Sequence, residues 1–98
     1  MIIKYVLKMM NDDLYLEFEN SAKEINELKK KPDNEELLNL YGLYKQAKFG
    51  NNKSSKPSIF NIKDKLKWES WEKQKGKGKI KSCKEYINLV EELKNKYN

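Results

Sequence analysis

Two tyrosines and a lysine stand close together near the middle of the chain, at Tyr41, Tyr44 and Lys45. Lys45 follows Tyr41 by four residues, so on a helix the ammonium and the first ring share one face. An ammonium holds an anion through charge-assisted hydrogen bonds, and a tyrosine ring offers a stacking surface to a flat ring. The spacing therefore indicates a site for a ligand that carries both an anion and an aromatic ring.

The same residues have a plainer interpretation as part of an ordinary helix. Leu37, Leu40 and Ala47 continue the spacing of the two tyrosines, which is the pattern of one apolar helix face. Tyrosines often lie at the edge of a core with their hydroxyls in water, and lysines are mostly surface residues. The spacing by itself leaves both interpretations open.

Basic side chains outnumber acidic ones, and every basic residue is a lysine. The 98 residues include 21 lysines and 15 acidic residues, which gives a net charge of +6. This excess favours an anionic partner: nucleic acid, a membrane surface or a phosphorylated ligand. Proteins that read bases rely on the bidentate contacts of arginine, so its absence argues against sequence-specific nucleic-acid recognition. Lysine can still bind phosphates without sequence preference.

The residue types needed for most catalysis and for metal binding are scarce. The chain has no histidine and one cysteine, Cys83. A lone cysteine excludes an internal disulfide, and the absence of histidine argues against a zinc site. Because histidine is also the commonest general base, the sequence predicts a binding protein without catalytic residues or a bound metal. Cys83 is expected to be a buried packing residue.

The first predicted helix is amphipathic and follows a short extension. Polar residues at 11–13 are suited to begin the helix, and Pro32 ends it after three lysines at 29–31, which are expected to be solvated and to complement the helix dipole. Residues 1–10 are too short to span a bilayer and are predicted to be a partly ordered extension. The predicted division is an extension at 1–13 and one domain at 14–98. The apolar positions of this helix are Leu14, Phe18, Ala22, Ile25 and Leu28.

The second and last helices have clear ends. Asp33 and Asn34 offer caps for a helix that Gly50 ends, because glycine tolerates the left-handed conformation at a helix C-terminus. The last helix is predicted from about residue 79 to the end of the chain. Its apolar residues keep a helical spacing throughout, at Ile80, Cys83, Tyr86, Ile87, Val90, Leu93 and Tyr97.

A third helix is predicted between these two, over about 64–74. Trp68 and Trp71 are expected in the core, because a three-residue step suits packing between helices. The apolar residues within 59–62 are expected to fold back onto the body of the protein. Since no β alternation of useful length occurs, the sequence predicts an all-α bundle of four helices.

Several groups of residues between 18 and 97 follow a known order and spacing. They are Phe18 with Ala22 and Leu28; Lys31-Pro32; Leu38-x-Leu-Tyr-Gly-Leu-Tyr-Lys-Gln-Ala with Gly50 after it; Lys56-Pro57; Lys65-Leu-Lys-Trp-Glu-Ser-Trp; Gly76; and Tyr86-Ile87 leading into Val90-Glu-Glu-Leu. In these residues the chain resembles the acyl-CoA-binding protein family. The run Leu-Tyr-Gly-Leu-Tyr-Lys-Gln-Ala with a downstream Lys-Trp-x-x-Trp is the most specific part of the resemblance.

The resemblance implies an up-down-down-up four-helix bundle that binds one long-chain acyl-CoA ester per domain, performs no reaction and needs no cofactor. It implies that Tyr41, Lys45 and Lys67 surround the 3′-phosphate of the ligand. It places Tyr44 at the adenine and Tyr86 along the ligand. Further positions implied to meet the ligand are Leu37, Leu38 and Leu66 along the acyl groove, and Ser21 and Ala22 near the nucleotide.

One departure from the family pattern bears on this site. Asn26 stands where the family often has a basic residue that meets ligand phosphates. Lys23 and Lys30 are the candidates to supply the missing charge.

The resemblance also implies a setting for the protein. It suggests a cytoplasmic monomer that buffers and transports acyl-CoA, with transient contacts to membranes or to enzymes that use acyl-CoA, and with no nucleic-acid partner. The net charge leaves one alternative open, a lysine-rich helical module that binds polyanions such as nucleic acid or an acidic membrane surface.

Overall fold

The computed structural model describes residues 2–98 as helices joined by loops. Its α-helices, in chain order, are α1 (Ile2–Glu24), α2 (Asn34–Phe49), α3 (Ile62–Glu72) and α4 (Lys79–Tyr97), with a short 3₁₀ turn at Ile25–Glu27. These residues contain no strand, and the predicted all-α fold of four helices is confirmed. Within the same range, no helix combines the length and the apolar character needed to cross a bilayer.

The second helix, α2, begins and ends where the sequence predicts. The Asp33 carboxylate accepts the backbone N–H of Glu36 at 2.8 Å, and the Glu36 carboxylate accepts that of Asp33 at 2.9 Å. This capping box satisfies backbone N–H groups at the helix N-terminus, where the first turn leaves donors without partners in the helix. Gly50 follows the last turn at φ 75°, which glycine adopts without strain, and its N–H donates to the Gln46 carbonyl at 3.0 Å.

The first helix differs from its prediction at both ends. It begins at Ile2 and not at 11–13, and its α-helical part ends at Glu24, before the 3₁₀ turn. Residues 2–24 contain neither proline nor glycine, so no backbone breaker interrupts them, and the short polar residues at 11–13 lie exposed within the helix. Met1, the first residue of the predicted extension, lies outside the described residues. The boundary between residues 13 and 14 stays a prediction.

The apolar residues at 59–62 do not fold back onto the body, so this prediction was wrong. Ile59, Phe60 and Ile62 are 69%, 90% and 66% exposed. Trp68 and Trp71 were also assigned wrongly, because both are half-buried and lie outside the buried core. Among the described helices, α3 packs against α2 alone. Its apolar side chains therefore meet one helix surface and not an enclosed interior.

The buried core lies between α1, α2 and α4. It is closed by aromatic packing between these helices, since the rings of Phe18 and Tyr86 meet edge to face with centroids 5.0 Å apart. Cys83 is buried here, as predicted. The core residues are Phe18, Leu40, Leu43, Ala47, Cys83, Tyr86, Ile87, Val90 and Leu93.

Ion pairs at the helix ends show how the helices run. Lys94 near the end of α4 binds Glu24 at the end of α1, with Nζ and Oε2 2.5 Å apart, so these two helices are parallel. Lys96, also near the end of α4, binds Glu36 in the first turn of α2 at 2.9 Å, so α2 runs antiparallel to both. The long connection after α2 then leads to α3, which packs along α2.

Glu36 joins the start of α2 to the end of α4. Its carboxylate accepts hydrogen bonds from the Tyr97 hydroxyl and from Lys96 Nζ, the second at 2.9 Å, and from the Asp33 N–H. The hydrogen bond from Tyr97, then that from Lys96, lowers the pKa of Glu36 from 4.5 to about 2. A carboxylate with a lowered pKa stabilises the fold above its unfolded pKa, and this stabilisation disappears as the pH falls through the folded pKa.

Replacing Glu36 by glutamine is therefore expected to make the stability of the fold depend less on pH in acid solution. The wild-type protein loses the contribution of Glu36 as the pH falls from about 4.5 towards 2, and the variant has none to lose there. Thermal unfolding midpoints, followed by circular dichroism across this range, measure the difference. The exposed neighbour Glu35, replaced by glutamine, is the matched control and should follow the wild type. Parallel profiles for wild type and Glu36→Gln would contradict the prediction.

Candidate functional site

Two lysine ammonium groups flank one tyrosine ring between α2 and α3. The Nζ of Lys45 lies 5.9 Å from the centroid of the Tyr41 ring, and the Nζ of Lys67 lies 5.7 Å from the same centroid. Tyr41 and Lys45 are one turn apart on α2, whereas Lys67 comes from α3. Packing of the two helices thus brings together the three residues predicted to surround a phosphate.

Aromatic rings hold the ammonium of Lys45 in place. Its Nζ lies 4.6 Å from the ring centroid of Phe49 and 4.9 Å from that of Trp71, distances at which the face of a ring attracts a cation. Lys45 is half-buried as a result, while Lys67 is exposed. Neither ring was predicted from the sequence to lie at the site. Phe49 follows Lys45 by four residues, which was a usable signal, but the position of Trp71 depends on how α3 packs.

Indole N–H groups tie α3 to the loop after α2. Trp71 Nε1 donates to the Gly50 carbonyl at 2.8 Å, and Trp68 Nε1 donates to the Ser54 carbonyl at 3.0 Å. The buried side chain of Asn52 donates to the Trp68 carbonyl at 3.4 Å. Next to these contacts lies an open cavity of about 380 Å³, termed the cation pocket below. Its lining residues are Tyr41, Lys45, Ser54, Ser55, Pro57, Asp64, Lys67, Trp68 and Trp71.

The cation pocket has more positive than negative charge. Lys45 and Lys67 line it together with one carboxylate, that of Asp64. The Oδ2 atom of Asp64 accepts an N–H from the Asn61 side chain at 2.7 Å, so the carboxylate has a hydrogen-bond partner within the first turn of α3. Two ammonium groups beside a phenol hydroxyl provide several donors for an anion with several acceptor oxygens.

Gly42 allows α2 and α3 to approach closely enough to form the cation pocket. A Cβ atom at position 42 would lie 2.8 Å from the Ser70 carbonyl carbon and closer still to its oxygen. Such distances are well inside van der Waals contact, so any side chain here would push α3 away. The two backbones therefore come close together at Gly42, the residue that follows Tyr41.

Tyr41 also lines a second and larger cavity of about 600 Å³, termed the cleft. Because the cleft and the cation pocket share this residue, a ligand with an anionic part and an apolar part can reach both cavities. The apolar wall of the cleft is formed by Ile25, Leu28, Pro32, Leu37, Leu40, Tyr41, Tyr44 and Tyr86, and its polar lining by Asn26, Lys29, Lys30 and Lys31.

The two other predicted tyrosines form one aromatic cluster at the wall of the cleft. The ring of Phe18 stacks on Tyr44 with centroids 5.3 Å apart, and the rings of Tyr44 and Tyr86 are 5.9 Å apart. Burial raises the pKa of Tyr86 to about 12, so its phenol stays protonated and neutral. Phe18 covers one side of the Tyr44 ring, Lys48 Nζ lies 5.5 Å from the ring centroid, and Tyr44 also lines the cleft.

Of the remaining predicted site residues, one lines the cleft and four lie outside both cavities. Leu37 lines the cleft. Leu38 is half-buried and Leu66 is 44% exposed, and neither belongs to the lining of the cleft or of the cation pocket. Ser21 is buried and Ala22 packs against the core, also outside both linings. Contact of these four residues with a ligand stays a prediction.

The three lysines at 29–31 lie beside the cleft, although the sequence suggested a role at the ligand for Lys30 alone among them. They follow the 3₁₀ turn and are solvated as expected, but all three belong to the lining of the cleft. Asn26 and Lys30 line the same cavity, whereas Lys23 does not. Of the two lysines considered as substitutes for a charge at Asn26, the structure therefore favours Lys30.

The arrangement is suited to binding a ligand. Among residues 2–98, no three His, Cys, Asp or Glu side chains come together in a way that could hold a metal ion. Burial raises the pKa of the Cys83 thiol, which favours the unreactive protonated form. The cation pocket and the cleft instead offer fixed positive charge, aromatic surfaces and apolar side chains next to one another.

Comparison with known proteins places these features in a family. Residues 16–90 match the family model described as acyl CoA binding protein. The chain is 56% identical to the acyl-CoA-binding protein of Saccharomyces cerevisiae over 81 residues, which are 83% of this chain and 93% of that protein. It is 45% identical to acyl-CoA-binding protein homolog 1 of Caenorhabditis elegans over 82 residues, 84% of this chain and 95% of that protein.

Solved structures agree with the sequence matches. The crystal structure of Oryza sativa acyl-CoA-binding protein 2 superposes with a TM-score of 0.81 at 41% identity, covering 85% of this chain and 92% of that chain. The predicted up-down-down-up four-helix fold is thereby confirmed. The match at 16–90 takes in both the cation pocket and the cleft. The chain belongs to the acyl-CoA-binding protein family.

Proposed function

We propose that the protein binds long-chain acyl-CoA esters without changing them chemically, and that it buffers and transports these esters. The observation that carries this proposal is the shared position of Tyr41, which lines both a positive pocket and an apolar cleft. An acyl-CoA ester has the matching pair of features, since its nucleotide is phosphorylated and its acyl chain is apolar. The relatives from yeast and Caenorhabditis elegans are named for the same ligand.

In this proposal the cation pocket holds the 3′-phosphate. Near neutral pH this group carries more than one negative charge, and Lys45, Lys67 and the Tyr41 hydroxyl supply donors from two helices. A hydrogen bond to a charged group contributes about 1.5–3 kcal/mol. The adenine would then stack on the cleft side of Tyr44, beside the neutral phenol of Tyr86.

The acyl chain gains affinity by leaving water. Each buried CH₂ group contributes about 0.8 kcal/mol, so a long chain outweighs any single polar contact. The apolar wall of the cleft, which includes Leu37 and Leu40, is the surface proposed to cover part of the chain. Lys30 at the same cavity is the proposed substitute for a basic residue at Asn26, and it would meet the remaining phosphates.

The setting of this activity is also a proposal. The cation pocket is formed by α2, α3 and the loop between them in one chain, so one copy of the protein suffices for one ligand. We propose that the protein acts as a cytoplasmic monomer that makes transient contacts with membranes or with enzymes that consume the ester.

Titration with palmitoyl-CoA tests the proposed function. Calorimetry is expected to show saturable one-to-one binding of palmitoyl-CoA and weaker binding of free CoA, because free CoA lacks the acyl chain. Palmitoyl-dephospho-CoA, which lacks the 3′-phosphate, is expected to bind at least about tenfold more weakly than palmitoyl-CoA, because all contacts of that phosphate are lost. Equal affinity for these two esters would contradict the role of the cation pocket.

A polyanion serves as the comparison ligand. An oligonucleotide should bind the lysine-rich surface weakly and lose affinity steeply as salt rises, whereas the acyl contribution to palmitoyl-CoA binding should persist. If the oligonucleotide competed with palmitoyl-CoA and bound more tightly at both salt concentrations, the protein would be better described as a polyanion-binding module.

A further inference from the structure

The N-terminal part of α1 extends beyond the helix against which α1 packs. The first turns of α4 lie opposite residues 10–14, since Met10 and Leu14 share a cavity with Ile80 and Lys84. The residues before Met10 therefore lie past the start of α4. At 1.5 Å per residue, this projecting part of the helix is on the order of 10 Å long.

This projecting segment, defined as residues 3–10, exposes most of its apolar side chains. Leu7 continues the helix face on which Leu14 packs against the core, but it lies about one turn before Met10, where the first turns of α4 come opposite α1. A soluble helix end would be expected to carry polar residues at such positions. The exposed fractions are Ile3 74%, Tyr5 66%, Val6 46%, Leu7 54%, Met9 65% and Met10 61%.

The charges of the projecting segment have one sign. Lys4 and Lys8 are exposed and one turn apart, and the first acidic residue of the chain is Asp12. The whole chain has a net charge of +6. A partner that covers the segment should therefore be apolar and carry negative charge.

We propose that the projecting segment docks on the surface of a bilayer that contains anionic lipids. A helix that combines large apolar side chains with lysines lies in the membrane interface, with its apolar residues at the boundary between headgroups and acyl chains. Lys4 and Lys8 can extend their ammonium groups to the lipid phosphates while their stems stay apolar. The segment is much shorter than the hydrocarbon core, which is about 30 Å thick, so it lies on the bilayer and does not cross it.

A second copy of the chain is a poorer partner for the same surface. In a pair of projecting segments, the lysines of one copy would find no acidic residue in the segment of the other, and like charges repel. An anionic lipid surface attracts the same lysines.

Docking through the projecting segment leaves the cleft accessible. The cleft is lined by residues at 25–44 and by Tyr86, which lie towards the opposite end of α1. Binding of a membrane and binding of acyl-CoA are therefore separate properties, and a change in one need not alter the other.

Co-sedimentation of the full chain with vesicles tests the proposal. Binding is expected to vesicles of phosphatidylcholine with phosphatidylserine and to be much weaker with pure phosphatidylcholine. Replacing both lysines, Lys4→Gln with Lys8→Gln, should lower the partition coefficient about thirtyfold. Replacing Leu7 and Met9 by serine should lower it at least about tenfold. The matched control replaces two exposed lysines elsewhere, Lys53→Gln with Lys73→Gln, and should retain most of the binding.

Three results would overturn the proposal. The first is equal vesicle binding by the wild type and both N-terminal variants. The second is loss of binding in Phe60→Ser with no loss in the N-terminal variants, which would assign membrane contact to the exposed connection before α3. The third is a dimer in sedimentation equilibrium that Leu7→Ser with Met9→Ser dissociates. Titration of each variant with palmitoyl-CoA should show unchanged affinity, which confirms an intact fold and separates this test from that of the proposed function.

Discussion

Replacing Lys45 by methionine is expected to lower the affinity for palmitoyl-CoA by about tenfold to a hundredfold and to leave the fold intact. The substitution removes the ammonium that aromatic rings hold beside Tyr41, and with it a charge-assisted hydrogen bond to the proposed phosphate. Methionine keeps an unbranched apolar stem, so contacts with Phe49 and Trp71 remain available. The loss should therefore appear in binding and not in unfolding.

The same variant can be tested against a ligand without the 3′-phosphate. If Lys45 acts on that phosphate, Lys45→Met and the removal of the phosphate should be non-additive, because each change removes the same interaction. Calorimetric titration of wild type and variant with palmitoyl-CoA and palmitoyl-dephospho-CoA gives the four affinities that this comparison needs. Lys73 is exposed and directly follows the last residue of α3. Lys73→Met is therefore the control for a general loss of positive charge. Additive losses, or a lower unfolding temperature at unchanged affinity, would give Lys45 a structural role.

The ends of α2 and the common face of Tyr41 and Lys45 could be predicted because their signals are local. The caps at Asp33 and Gly50 depend on side chains and backbone conformations within a few residues of each helix end. The spacing of Tyr41 and Lys45 likewise sets their common face within one turn. Pairing Lys67 with them required a different source, the resemblance to a family, since no local pattern joins α2 to α3.

The parts that were predicted wrongly depend on packing between elements. The three-residue step of Trp68 and Trp71 is compatible with a core, but α3 has one helix neighbour, and the two indoles instead donate to carbonyls of the loop after α2. The start of α1 was placed too late because Asn and Asp at 11–13 resemble a cap, although they also fit an exposed helix interior. The lysines at 29–31 look like a solvated helix end until the fold places a cleft beside them.

The glycine at position 42 offers the sharpest test of how the fold positions the site. Gly42→Ala is expected to lower the affinity for palmitoyl-CoA by about tenfold or more, because the new Cβ would collide with the Ser70 carbonyl and push α3 from α2. That displacement separates Lys67 from Lys45 and Tyr41 without removing any ligand-binding side chain. A lost contact between Lys67 and the phosphate is worth about 1.5–3 kcal/mol.

Gly42→Ala should also lower the stability of the fold, because the atoms that the new Cβ would meet are backbone atoms of Ser70. Overpacking costs about 1–3 kcal/mol, and the higher helix propensity of alanine offsets up to about 1 kcal/mol of it. Gly78→Ala is the matched control, since a Cβ at Gly78 meets nothing within 4 Å. Its position before α4 predicts a stability loss of about 1 kcal/mol from weaker capping, with unchanged affinity. Calorimetric titration and thermal unfolding of both variants separate the two effects. If Gly42→Ala bound palmitoyl-CoA as the wild type does, close approach of α2 and α3 would not be what assembles the cation pocket.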